Sequence, residues 1–309
     1  MEEVQRKFDD FSHPDVGAIA IIRGRMLQAL QQYLLERDFK QLLPILMSPI
    51  TDPLNHAVYP AELQYQERRL KLTASMIFHK QLALTANDHE RIFIVAPNIR
   101  LEKPEIKDSA NHLLEFSQFD FEIRNGDMYQ AMALIEGLVK YTLGEVNQHC
   151  ALQLAQLGRK LPHYETAFPI YSSDELRAEY GDDFEKIMSA QAHTPFFVTN
   201  YKREFYDRET PGQRGHYNNY DLIYPDGYGE ALSGAEREFE YEQILYRMRE
   251  LDMDLAPFAN FLEFARRGLL HPSAGGGLGI ERLLKFICGK RHIRDVALFD
   301  RTVGSNFLF

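Results

Sequence analysis

Four glycines, Gly275, Gly276, Gly277 and Gly279, stand directly before Ile280-Glu281-Arg282, where a helix is predicted to begin. Glycine lets a backbone approach a ligand closely, and a helix N-terminus favours anions. With Arg282 one turn inside the helix, the segment suits a phosphate, although a tight packing turn explains a glycine run equally well. It is not a Rossmann fingerprint, because no βαβ unit surrounds it, nor a P-loop, because no Gly-Lys-Ser/Thr follows. A second set lies upstream. Arg100 ends a predicted strand and is expected to face a strand carrying Asp120 and Glu122. One arginine with several carboxylates over a sheet suits a nucleotide with a divalent metal, the plain alternative being a cross-strand salt bridge. A third set is Glu230, Ser233 and Arg237. Glu230 and Ser233 suit a shared metal or phosphate, with Arg237 expected at the head of a helix. The plain alternative is a solvated helix face.

These residues need elements to position them. Ile19, Ile22, Met26, Leu30, Tyr33 and Leu34 predict a helix over 15–37. Leu42 to Leu46 reads as a buried extended run that Pro44 demotes to an edge or interface strand. Strands are expected at 70–73, 91–96, 115–123, 196–199 and 220–223, with a long polar loop joining the second and third. Helices are expected at 75–86, capped by Ser75, and at 127–157, 173–190, 235–251 and 256–268. Antiparallel strands with helices grouped around them mean α+β, in one domain over 1–309.

Composition narrows the function. The chain has 309 residues, 45% hydrophobic and 26% charged, which is ordinary globular usage. No apolar run approaches the roughly 20 residues of a membrane helix, and the N-terminus does not read as a secretory signal. Cys150 and Cys288 cannot build a disulfide framework or a zinc ribbon and read as packed thiols, so a cytoplasmic setting is expected. The net charge of −10 disfavours a large RNA footprint, and no nucleic-acid partner is expected.

Together and in this order, the sets resemble the three motifs of the class II aminoacyl-tRNA synthetases. The helix followed by Pro44 is similar to motif 1, the dimer element. Arg100-Leu101-Glu102 with Glu115-Phe116-Ser117-Gln118-Phe119-Asp120 is similar to motif 2. Gly275 to Arg282 is similar to motif 3. Glu230 to Arg237 resembles the aspartyl/asparaginyl branch. The resemblance implies an antiparallel sheet flanked by helices, a homodimer, ATP and Mg2+. It implies that Arg100 holds the α-phosphate and Arg282 the γ-phosphate, that Phe116 stacks on adenine, and that His112 touches the distal phosphates. Glu102, Ser233 and Gly279 would complete the ATP site, and Asp221 and Glu230 would hold magnesium. Asp120 would pair with a substrate ammonium beside Gln118, while Lys80 and Arg237 clamp a carboxylate. Two buried cations need an anionic ligand, so aspartate is the expected substrate rather than asparagine.

Motif 1 begins near residue 20, which leaves no room before it for an anticodon-binding barrel of most of a hundred residues. The chain is therefore similar to the free-standing archaeal-type, AMP-forming asparagine synthetases, as are Ser48 to Leu54, Arg203 to Arg208 and Pro272-Ser273-Ala274-Gly275. The implied reaction joins aspartate, ATP and ammonia. An acyl-adenylate and pyrophosphate form first, and ammonia then releases AMP and asparagine. The alternative is a ligase or aminoacyl-transferase that passes the acyl group to another amine, a carrier or an RNA. A non-catalytic paralogue is disfavoured, because Arg100, Glu230 and Arg282 are all present. Three positions depart from the pattern: Asn111 stands where relatives commonly have Arg, Asp300 where proline is usual, and Met76-Ile77 where charging enzymes have a polar pair.

Overall fold

A computed structural model of the chain describes Gln5, residues 11–107 and residues 109–306. The strands are β1 (Lys40–Leu42), β2 (Met47–Ser48), β3 (Val58–Tyr59), β4 (Glu62–Tyr65), β5 (Arg68–Leu72), β6 (Arg91–Ile99), β7 (Leu101–Glu102), β8 (Glu115–Arg124), β9 (Ile170–Ser172), β10 (Phe196–Thr199), β11 (Asn219–Tyr224), β12 (Gly229–Arg237) and β13 (Ser273–Gly279). The helices are α1 (Pro14–Leu35), α2 (Ile77–Ala83), α3 (Met128–His149), α4 (Ala151–Gln156), α5 (Ser173–Tyr180), α6 (Phe184–Gln191), α7 (Tyr241–Glu250), α8 (Ala259–Arg266) and α9 (Ile280–Cys288). Eight strands form one sheet in the order β1-β6-β8-β13-β12-β11-β10-β9. Its centre is antiparallel, and β1 and β9 add parallel edges. This is the α+β arrangement expected from the sequence.

Strand alternation sorts the sheet into two faces. Phe93, Phe119, Phe121, Leu232, Ala274 and Leu278 point into a core closed by α1, α3 and α9 through Ile22, Met26, Leu138, Val139, Leu283 and Phe286. Each large apolar side chain buried there contributes about 1.5–3 kcal/mol. Helix α1 starts at Pro14, and the His13 ring accepts the Asp15 amide. Helix α9 closes on Gly289 at φ 69°, the left-handed turn glycine supplies. The other face is polar at its centre. Beside it lies a cluster of Ile77, Phe78, Phe205, Tyr206, Ile244 and Phe261.

Several sequence expectations need correction. The glycine run is not a turn before a helix but β13, an interior strand bonded on both sides. Residues 235–237, expected to open a helix headed by Arg237, instead end strand β12, and the next helix begins only at Tyr241. The run after Leu42 is not buried: Leu43 is 87% exposed, and Ile45, Leu46 and Met47 are exposed too. Residues 127–157 divide at Cys150, and 173–190 divide at Gly181. The helix expected from Ser75 is shorter, although Ser75 Oγ does accept the Ile77 amide. Both cysteines are buried and unbridged. Among the described residues, no helix is long and apolar enough to cross a membrane.

Candidate active site

The polar face of the sheet borders a cavity of about 390 Å³ that is walled by β8, β13, β12 and β11, α2, and the segments 52–56 and 201–207. A narrower cleft continues from it between Arg100, Asn111, His112, Phe116, Gly279 and Arg282. Arg100, Glu102, His112, Gln118, Glu230 and Arg282 border both spaces. Every residue to which the resemblance gave a role borders one or the other, whereas Glu122, fully buried, borders neither.

The glycines explain how long side chains reach this floor. Gln118, Asp120 and Glu122 of β8 stand opposite Gly279, Gly277 and Gly275 of β13. A Cβ at Gly277 would lie 2.8 Å from Asp120 Oδ1 and 2.9 Å from Gln118 Nε2. At Gly275 it would run into the Glu122 carboxylate and the Phe121 carbonyl. The stripe is therefore a cleared floor over which the β8 side chains lie.

A bulge aims Glu230. Leu222 pairs with Leu232, but the next residue, Ile223, pairs with Glu230. The extra residue on β12 reverses the alternation. Glu230 thereby joins Ser233, Arg237 and Asp221 on the cavity wall, despite odd spacing from Ser233.

The charges are stored in pairs. Lys80, 2% exposed, donates to Asp120 at 3.0 Å and lies 3.6 Å from Glu122. Arg237 donates to Glu122 at 3.1 Å and lies 3.7 Å from Asp207. Ser273 adds a hydroxyl donor to Glu122 at 2.9 Å. Arg282 pairs with Glu230 at 2.9 Å. The expectation of two buried cations awaiting an anion is thus corrected, since both already have carboxylate partners. One buried oxygen stands out: Asp120 Oδ2 has no hydrogen-bond partner and lies in the cavity wall.

Arg100 differs from its expected setting. The partners of Asp120 and Glu122 on β6 are Ile94 and Ile92, and no ion pair joins Arg100 to either carboxylate. Its Nε donates to the Ala74 carbonyl at 3.1 Å, and its guanidinium covers the Phe116 ring at 5.1 Å. Glu102 is bonded to His56 at 3.0 Å. Burial, with Arg282 beside it, pushes the His112 imidazole below its ordinary pKa.

Sequence reasoning assigned no role to Arg203. It is enclosed, and bonds Asp221 at 2.7 Å, Asp207 at 3.2 Å and the Gly234 carbonyl at 3.1 Å. Charged residues interleaved with the core residues Phe205 and Tyr206 were the available signal, since burying those rings draws Arg203, Glu204 and Asp207 inward. Burial and Asp207 push the Glu204 carboxyl up to about 8, against the pull of Arg203. Burial likewise raises Asp221 to about 7, with Arg203 opposing and Glu230 adding to the rise. Burial also acts to raise Glu230, but Arg282, Arg203 and Arg100 outweigh it and hold that carboxyl low.

Asp221 and Glu230 are hard oxygen donors that repel one another across the cavity wall, a repulsion a cation relieves. Among the described residues, no cluster of three or more His, Cys, Asp or Glu forms a metal cage. Two carboxylates fit magnesium in the form that takes its other ligands from phosphates and water.

The chain's relatives match this architecture. The family described as tRNA synthetases class II (D, K and N) matches residues 2–303. The asparagine–tRNA ligase of Thermococcus kodakarensis is 26% identical, over 94% of this chain and 70% of the relative. That of Pyrococcus horikoshii is 27% identical, over 94% and 69%. The structure of the P. horikoshii asparaginyl-tRNA synthetase complexed with asparaginyl-adenylate superposes with a TM-score of 0.84 at 25% identity, covering 96% of this chain and 71% of that one. The Entamoeba histolytica asparaginyl enzyme, at 19% identity, shares the fold with a TM-score of 0.84 over 97% of this chain and 70% of its own. With the family matched over nearly the whole length, and with Arg100 and Arg282 at one cleft, the chain belongs to the class II tRNA synthetases of the D, K and N group.

Proposed function

We propose that this chain activates aspartate with ATP and passes the acyl group to ammonia, releasing pyrophosphate, AMP and asparagine. The coarser part follows from the family: a class II synthetase core is a ligase that activates an amino acid with ATP. The free Oδ2 of Asp120, beside the Lys80–Asp120 pair, carries the choice of substrate. An amino acid brings an ammonium and a carboxylate. Inserted into that pair, its ammonium takes Asp120 and its carboxylate takes Lys80, so no buried charge is stranded. Aspartate keeps a second carboxylate free to attack ATP.

The nucleotide opens a second pair in the same way. Arg282 leaves Glu230 for the γ-phosphate, and Glu230 with Asp221 holds Mg2+, which neutralises phosphate charge when bound. Arg100 meets the α-phosphate, and Phe116 offers its face to adenine. His112, Glu102, Ser233 and Gly279 border the remaining phosphate and sugar positions. Catalysis here is positioning and charge stabilisation, with no covalent enzyme intermediate. Residues 1–309 are proposed to act as one catalytic domain, which the single sheet lining the cavity supports, and to pair as a homodimer, which the exposed Leu43, Ile45 and Leu46 support.

A second reading has its own support. The relatives named above are tRNA ligases for asparagine. The Arg237–Glu122 pair also offers one donor and one acceptor, the complement of a side-chain amide. On this reading asparagine is activated and an RNA is the acceptor. Mass analysis of the products from ATP, aspartate and ammonium separates the two. AMP and asparagine in equal amounts support synthesis. AMP formed only with asparagine and tRNA would replace it with the second reading.

A further inference from the structure

Lys285 is a buried cation for which the proposed chemistry has no use. It lies on α9 one turn beyond Arg282 and is 2% exposed. Its partners are neutral: its ammonium donates to Asn111 Oδ1 and faces the Tyr228 ring at 5.6 Å. The charged groups around it are of its own sign. Burial, Arg282 on the same helix and Arg291 just beyond push it down to about 8, and His292 lies within its field. An uncompensated buried charge is costly, so a fold that keeps one gains when an anion arrives nearby.

Asn111 links Lys285 to the cleft. It lines the cleft wall, whereas Lys285 stands behind it. The backbone carbonyl of Asn111 accepts Arg282 Nε at 3.4 Å, and its Nδ2 donates to the Tyr228 carbonyl at 3.5 Å. Its amide donates to Ser109 Oγ at 3.2 Å, and that hydroxyl also meets the His112 ring. The 109–112 turn is thus tied through Asn111 to Lys285, Arg282 and Tyr228, and through the Ala110 carbonyl to the Ile293 amide at 2.9 Å; among these ties Lys285 is the one made by a buried ammonium.

We infer that Lys285 is a positioning residue that holds the Asn111–His112 turn, and adds positive potential, where the polyphosphate of the nucleotide enters. This rests on the ATP reading above. By linkage, a phosphate that favours the ammonium binds more weakly as that group loses its proton, by about tenfold per pH unit until the bound form titrates.

Calorimetric titration with Mg-ATP between pH 6.5 and 9.5 tests this without needing turnover. In the unaltered protein, the ATP Kd is expected to rise above pH 8. Asp221 and Glu204 in the same cavity also titrate over this range, so the readout is the part of the rise that Lys285 adds. Lys285→Met should give a weaker Kd and a smaller rise above pH 8 than the unaltered protein, with amino-acid affinity kept. Lys285→Arg should restore tight binding and show the same reduced rise. Asn111→Asp, which supplies a counter-charge, should move the rise to higher pH. The same alkaline rise in Lys285→Met or Lys285→Arg would overturn the inference alone. If Lys285→Met does not fold, Lys285→Arg and Asn111→Asp carry the test. Pyrophosphate exchange run in parallel reports on the activation reading separately, and a protein that binds no ATP overturns both.

Discussion

A single carboxylate shows how the site works. Asp120 has one oxygen on Lys80 and the other free at the cavity wall. On the proposed reading, removing its charge takes away the acceptor for the substrate's ammonium, and it leaves Lys80 with Glu122 at 3.6 Å as its carboxylate neighbour, beside the Gly276 and Phe121 carbonyls. Asp120→Asn should therefore raise the amino-acid KM on the order of 100-fold, about 3 kcal/mol, with the ATP KM little changed. Steady-state kinetics varying each substrate in turn checks this, and an equal rise in both would count against the assignment. The residue types at the site were legible in the sequence, because arginines, carboxylates and glycines stood in a recognised order. Their pairing was not. Glu122 meets Arg237 and Lys80 across 115 and 42 positions of chain, and sequence spacing cannot report who neutralises whom.

The elements β13 and β12 taught the most. The glycines read as a cradle before a helix, yet they are a strand whose missing side chains make room for its neighbour's. Helix-forming residues after Arg237 hid the end of β12, and a bulge set the direction of Glu230. Strand registers arise from pairing between distant segments, so local periodicity is silent on them. Two substitutions separate floor from frame. Gly277→Ala meets only the flexible ends of Asp120 and Gln118, so a melting temperature near the original is expected with a raised amino-acid KM. Gly275→Ala meets the Phe121 carbonyl and should cost about 1–3 kcal/mol of stability in denaturant titration. A Gly277→Ala protein with ordinary kinetics would show that the floor does not constrain Asp120.

At the scale of the molecule, the sheet keeps its two faces apart. One carries the aromatic core, and the other carries buried charges held in pairs: Lys80 with Asp120, Arg203 with Asp221 and Arg237 with Glu122. The α+β class, helix α1 and the strands β5, β6, β8, β10 and β11 could be read from hydrophobic periodicity, whereas β12 and β13 could not. The acidic cluster around Arg203 could not either, because it brings the 203–207 segment against Asp221 of β11. That cluster makes stability depend on pH. The Glu204 carboxyl rises from an ordinary 4.5 to about 8 on folding, so the folded chain holds more protons than the unfolded chain between these values. Its contribution is complete below about 4.5 and is lost as pH climbs through 8. Melting temperature measured from pH 5 to 8.5 should fall more steeply for the unaltered protein than for Glu204→Gln. A steeper fall in the variant would reverse the sign of this contribution.

The most direct test of the account is ATP–pyrophosphate exchange with each amino acid in turn, at neutral pH with magnesium. Exchange stimulated by aspartate well above that by any other amino acid is the expected result, and it would establish an acyl-adenylate of aspartate. No exchange with aspartate would contradict the aspartate assignment, and no exchange with any amino acid would contradict activation at this cavity altogether.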